Sequence, residues 1–187
     1  MNIRFLPFLL SLVVSWSVQG ASDDFRLYVQ DVSDAEGGRV SSCVILAGTN
    51  RFSFFPPQNW NVRGDGVARS VTLTSPDQSA SVQFKFQPAS IRTNMPDLRR
   101  FVSAEYPGSR IRGETMCFSG DSEEVALDLA RPIKGSLSVY IRTTLVRLHP
   151  EIVEASLTSS PQRFASQLPI FNNVVTSLRG EISKPHK

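Results

Sequence analysis

Between residues 25 and 158 apolar and polar positions mostly alternate in twos, and helical spacing takes over around residues 95–106 and again after residue 160. A period of two marks a half-buried strand and a period near 3.6 marks a helix with one apolar face. Segment 25–32, FRLYVQDV, alternates Phe25, Leu27 and Val29 with mostly polar neighbours and predicts either a half-buried strand or a variable N-terminal extension. Segment 39–46, RVSSCVIL, is rich in β-branched residues and runs into the turn signal AGTN. Segment 52–55, FSFF, is the next short strand, and Pro56 and Pro57 stop it because proline cannot donate to a ladder. Trp60 and Val62 restart an extended segment that RGDG is expected to end in a turn. The clearest hairpin follows: ARSVTLT and SVQFKFQP flank SPDQSA, and Val71, Leu73, Val82, Phe84 and Phe86 can share one buried face.

The first helix is predicted over MPDLRRFVSAEY, with Asn94 as cap and Pro96 near the first position. Leu98, Phe101, Val102 and Tyr106 form its apolar stripe, which is expected to cover one sheet face. Four extended segments follow at 115–119, 125–130, 137–148 and 152–158, joined by short connectors as in an antiparallel meander. Beyond Ser160 and Pro161, the residues Phe164, Leu168, Phe171, Val175 and Leu178 recur at helical spacing. Pro169 predicts a break or kink in that helix, and Gly180 its end.

The N-terminus changes the picture of compartment. Arg4, the apolar run FLPFLLSLVVSW and the small residues near Gly20 and Ala21 follow the order of a cleaved secretory signal. The apolar run is interrupted by Pro7 and falls short of the about 20 residues needed to span a bilayer. The expected division is a leader over 1–20, a strand extension over 21–46, one domain over 47–180 and a disordered tail over 181–187.

The stretch FSFFPPQNW at 52–60, the hairpin around TSPDQS and FNNVVTSL at 171–178 resemble the PsbP-like superfamily across residues 47–179. That superfamily includes photosystem-associated lumenal proteins, a Ran-GTPase-binding factor and bacterial exported proteins. The resemblance implies an α+β fold, an α/β/α sandwich on an antiparallel β-sheet, and a binding or assembly role without catalysis. No residue for a photosystem or Ran interface carries over, and the segment before Ala47 lies outside the resemblance.

Charge adds little, since the formal net charge is +3 and no long basic block occurs. A nucleic-acid partner is therefore not expected. Cys43 and Cys117 could form a disulfide in an oxidising compartment or remain as buried free thiols, and their spacing does not choose between these. Arg99, Arg100, Arg110 and Arg112 form either an anion or partner patch or a solvated surface. Alternation places Phe52 and Phe54 on one face and Phe55 on the other, so Phe55 is a candidate aromatic contact together with Trp60. The tripeptide RGD at 63–65 reads as turn composition rather than an adhesion signal.

Catalytic chemistry is poorly provided for. The two histidines, His149 in an HPE turn and His186 in the tail, are badly placed to act as a held base. No histidine or cysteine cluster has metal-ligand spacing, and no phosphate-binding glycine loop occurs. No catalytic, cofactor-binding or metal residue is assigned. The acidic pairs Glu123 with Glu124 and Glu151 with Glu154 read first as surface charge. The function expected is an exported, non-catalytic binding or accessory protein of the cell envelope with a protein partner and no integral membrane anchor. A hydrolase using two carboxylates and a carrier holding a small apolar ligand between helices and sheet are the alternatives.

Overall fold

The computed structural model describes residues 24–33, 39–87, 90–133 and 137–182; the leader over 1–20, His186 and residues 183–187 lie outside them. The described chain runs β1 (Phe25–Ser33), β2 (Arg39–Ala47), β3 (Asn50–Phe54), β4 (Asn61–Asp65), β5 (Ser70–Thr74), β6 (Ala80–Gln87) and α1 (Met95–Glu105). It continues as β7 (Arg110–Ser119), β8 (Ser122–Pro132), β9 (Ser138–Leu148), β10 (Glu151–Ser159), α2 (Phe164–Ser177) and β11 (Arg179–Ile182). Seven strands form one antiparallel sheet in the order β4-β5-β6-β10-β9-β8-β7, and four form a second in the order β1-β2-β3-β11.

The large sheet is buried on both faces, and its strands sort their residues between two cores. On β8, β9 and β10 the residues Leu127, Leu129, Ile141, Leu145 and Ile152 meet Leu98 and Val102 of α1. Their strand neighbours Ala126, Val146, Val153, Ala155 and Leu157 face the other way, into the larger core closed by α2 and the small sheet. The result is the α+β sandwich that the sequence implies, with α1 as one outer layer and α2 beside a second small sheet as the other.

The small sheet explains the phenylalanine-rich window. Phe52 and Phe54 of β3 enter the larger core, where Phe52 lies 5.0 Å from Phe86 and Phe54 lies 5.1 Å from Phe84, measured between ring centroids. Phe25 of β1 meets the edge of Phe86 at 5.5 Å. Burying a phenylalanine stabilises by about 1.5–3 kcal/mol, so these rings bind the two sheets together. The described residues of the segment 21–46, strands β1 and β2, are therefore no appendage. Strand β2 sits between β1 and β3, and its Cys43, Ile45 and Ala47 are core residues.

Three local expectations give way. RGD is not a turn: Arg63, Gly64 and Asp65 pair with β5, and the turn comes after them, where Asp65 Oδ1 accepts from the Ala68 N–H at 2.9 Å. Helix α2 runs unbroken through Pro169. Phe164 and Phe171 on either side of it are both buried, and their apolar contacts outweigh one lost backbone hydrogen bond. Its first turn is held by the Ser160 carbonyl, which accepts from Arg163 and Phe164, and not by a side-chain cap. Gly180 does not end the helix either. It belongs to β11, which pairs with β3 and takes residues 181 and 182 out of the expected tail.

Candidate binding groove

Phe55 follows Phe54 by one residue, so its ring leaves the core and is 48% exposed. Its backbone N–H donates to Ser177 Oγ at 3.0 Å, and Ser177 Oγ donates in turn to the Val174 carbonyl at 2.7 Å. These two bonds tie the end of β3 to the last turn of α2. Pro56 and Pro57 carry the chain away without N–H groups of their own, leaving that wall largely apolar. Between this wall and Ile170, Asn173 and Val174 of α2 runs an open groove of about 540 Å³. Arg179 also lines it. The Arg179 guanidinium bonds to the carbonyls of Thr176 and Leu178, so a cation is fixed beside the apolar wall at the negative end of the helix. An apolar floor, rigid prolines and one anchored arginine suit an extended segment with a bulky apolar side chain and an acidic group.

Trp60 is separated from this groove. It is half-buried, packs against the larger core, and its N–H bonds to the Pro57 carbonyl at 3.2 Å.

The four arginines are not brought into one patch. Arg99 forms an ion pair with Glu114, and Arg100 bonds to Asp97 at 3.1 Å; both belong to α1. Arg112 stacks over the Tyr140 ring at 3.8 Å, and Tyr140 packs against the larger core on the opposite side of the sheet. Arg110, exposed, starts β7 opposite Ala130. Arg100 lines a hollow of about 590 Å³ beside the start of α1, with Arg92, Asp97 and Phe101.

Cys43 and Cys117 are both buried and unbonded. They lie in different sheets, Cys43 in β2 and Cys117 in β7. Burial pushes the Cys43 thiol up to about 11 and also raises Cys117, so both stay protonated and unreactive.

The acidic pairs do not form a two-carboxylate cleft. Glu123 and Glu124 are successive residues of β8, and Glu151 and Glu154 are three apart on β10, so each pair is divided between opposite faces. Glu151 pairs with Arg69 at 3.2 Å. Glu154 lies beneath α1, 3% exposed, and accepts from Tyr106 Oη at 2.5 Å, Gln87 Nε2 at 3.2 Å and Thr143 Oγ1 at 3.5 Å. Burial raises its pKa, with the Tyr106 bond working against that rise. Glu124 is buried on the other face, accepts from the Arg147 N–H at 3.4 Å and is likewise raised by burial. The sequence reading of Glu124 and Glu154 as surface charge is therefore corrected: both are buried. The available signal was a lone Glu inside the apolar run IVEASL. Sequence reasoning also missed the bidentate Arg142–Asp128 pair, at 2.7 and 2.8 Å, which joins β9 to β8.

No protein-family model and no curated protein matches the sequence. Several solved structures match the structure. The yeast (Saccharomyces cerevisiae) Ran-binding protein Mog1p is 11% identical, with a TM-score of 0.44 over 82% of this chain and 96% of that one. Cyanobacterial PsbP from Synechocystis is 11% identical, with a TM-score of 0.43 over 89% of this chain and 98% of that one. LpqN of Mycobacterium tuberculosis, described as involved in cell envelope biogenesis, is 9% identical, with a TM-score of 0.40 over 84% and 93%. They include the PsbP and Ran-binding groups to which the sequence resemblance pointed. At these identities the similarity is one of fold and brings no activity or partner with it.

Among the described residues no helix is long and apolar enough to cross a membrane, and no three His, Cys, Asp or Glu side chains form a metal-binding group.

Proposed function

We infer that this is an exported, non-catalytic binding or accessory protein of the cell envelope, and that a protein partner seats an apolar side chain in the groove beside Phe55. The observation that carries the reading is Phe55 itself, an aromatic ring held outside the core by a backbone bond to Ser177 and flanked by two prolines. Exposed aromatics on a rigid rim are the usual anchors of protein interfaces. The secretory pattern of residues 1–20 supports export. Arg179 adds a preference for an acidic group next to the apolar anchor. The carrier alternative gains less support, because Phe171 and Val175 of α2 are fully packed into the core beneath the helix.

The test compares what the tagged protein captures from its own envelope fraction with what Phe55→Asp captures. Val67→Asp, at a site 82% exposed and away from the groove, serves as control. A partner retained by the control and lost by Phe55→Asp is the expected result. A captured set indifferent to Phe55, or recovery of the tagged protein only from the cytoplasm, overturns the reading.

A further inference from the structure

Strand β7 is an edge of the large sheet: β8 pairs with one side, and no strand among the described residues pairs with the other. An open edge is a template for another strand, and proteins that stay monomeric blunt such edges with lysine, proline or a bulge. β7 has a bulge near its start, between Ile111 and Gly113. Beyond it the strand is regular through Ser119 and contains neither lysine nor proline. Met116 and Phe118 lie two residues apart on one face of this stretch and are 47% and 51% exposed. Met116 sits opposite Val125 and Phe118 opposite Glu123.

The two ends of the edge carry opposite charge. Arg110 and Arg112 stand at its start, and Asp121, in the tip of the β7–β8 hairpin, stands at its end, followed by Glu123. Arg110, Asp121 and Glu123 are exposed and enter no ion pair among the described residues.

We propose that a second copy of this chain pairs with β7 antiparallel, across a two-fold axis between Glu114 and Met116, joining two large sheets edge to edge. A two-fold pairing brings the same strand to itself in reverse. It sets the Met116 and Phe118 stripes of both copies side by side on one face. It also lays the Arg110 end of each copy along the Asp121 end of the other. The occupant is identified by that match of apolar stripe and reversed charge, which an arbitrary strand lacks. Thr176 Oγ1 donates to the Phe118 carbonyl at 3.1 Å, so the new ladder centres on Glu114 and Met116 and stops short of that carbonyl. The pairing does not require the Phe55 groove to be occupied.

Sedimentation velocity on the whole protein over a wide concentration range tests this. The expected species has twice the chain mass at high concentration. Met116→Lys with Phe118→Lys is expected to give a monomer with unchanged circular dichroism and melting temperature, since both side chains are exposed. Arg110→Asp is expected to weaken the dimer about tenfold, and adding Asp121→Arg in the same chain to restore it. One-chain mass at every concentration overturns the proposal, including the case in which the edge serves only an unrelated peptide. So does a dimer indifferent to the paired lysines, or one weakened by Arg110→Asp that Asp121→Arg fails to restore.

Discussion

Tyr106 and Glu154, 48 residues apart, share a hydrogen bond beneath helix α1, the phenol donating to a carboxylate that is almost wholly removed from water. Tyr106 is the residue that ends α1, where its own N–H bonds to the Val102 carbonyl at 2.9 Å. Glu154 lies in the interior of β10, next to the central pairing of the large sheet. The bond therefore fixes the end of the helix to the middle of the sheet. Lys85 and Glu105 form an ion pair close by, the lysine favouring the charged form of Glu154 and Glu105 opposing it.

Removing the phenol oxygen tests the strength of that tie. Tyr106→Phe leaves the ring in place and takes one of three donors from a buried carboxylate. A buried acceptor that loses its partner costs about 1–3 kcal/mol, so the urea midpoint is expected to fall accordingly. Glu154→Gln keeps the shape without the charge, and its loss is expected to be smaller. Equal stability of Tyr106→Phe and the parent would show that the bond contributes nothing.

The buried acids also set the pH dependence. Glu154 and Glu124 both have pKa values raised above the ordinary 4.5, in each case chiefly by burial. Above 4.5 the folded state holds protons that the unfolded chain has released. Their contribution is thus complete below 4.5 and is lost as pH rises through the raised values. Asp77 acts in the opposite direction: the Ser75 hydroxyl, then the Ser79 hydroxyl and N–H, hold it down at about 2. Its contribution is present above 3.8 and is lost as pH falls toward 2. Stability measured by denaturant titration is expected to peak in mild acid and decline toward neutrality. Glu154→Gln combined with Glu124→Gln is expected to flatten the decline, and an undiminished slope in that variant would refute the assignment.

How much of this the sequence revealed depends on the kind of interaction. The hairpin face from Val71 to Phe86 and the stripe of Leu98 and Val102 repeat at the period of their elements, and both were legible. Helix α1 could be bounded because Asn94 and Pro96 are local signals, and Asn94 Oδ1 does accept from the Asp97 N–H. The fourth strand of the small sheet could not be seen. Residues 179–182 become a strand only because β3 offers them an edge, and nothing in RGEI itself announces this. Glu154 and Tyr106 meet through the register of β10 against β6 and β9, which pattern alone does not fix. Phe55 was legible as the outward member of FSFF, whereas Ile170, Val174 and Arg179 joined it only once α2 was placed over the sheet.

Adjacent phenylalanines give a sharp test of that alternation. Phe54→Ala empties a site 1% exposed and is expected to cost about 3–5 kcal/mol. Phe55→Ala is expected to change stability by less than about 0.5 kcal/mol, although it removes the same side chain one residue later. Thermal or urea denaturation of the two variants decides the matter. Comparable losses at both positions would place Phe55 in the core and remove the groove's anchor.

The cysteines supply a chemical check on burial. With Cys43 pushed up to about 11 and both thiols in the core, neither is expected to react with a thiol reagent in the native protein at neutral pH. Both are expected to react after unfolding in denaturant without reductant. Two thiols released only on unfolding support the structure, and none released shows that Cys43 and Cys117 are bonded. Because the Cys43 pKa is raised, its contribution to stability is present below 9 and is lost as pH climbs through about 11.

The two sheets come into close contact at Gly64, the middle residue of RGD. A Cβ there would stand 3.0 Å from Leu27 Cβ, at the contact of β4 with β1. Leu27 Cβ is fixed to its backbone, so it cannot swing aside as the end of a long side chain could. Gly64→Ala is therefore expected to push the strands apart and to cost about 1–3 kcal/mol. Shortening Leu27 to alanine should not relieve the clash, because its Cβ remains. Gly113 provides the contrast: its added Cβ meets nothing within 4 Å, and Gly113→Ala is expected to be neutral. Melting temperatures of Gly64→Ala, Gly64→Ala with Leu27→Ala, and Gly113→Ala measure all three. A Gly64→Ala protein as stable as the parent would mean that β1 does not lie against β4, and that the small sheet is seated elsewhere on the core.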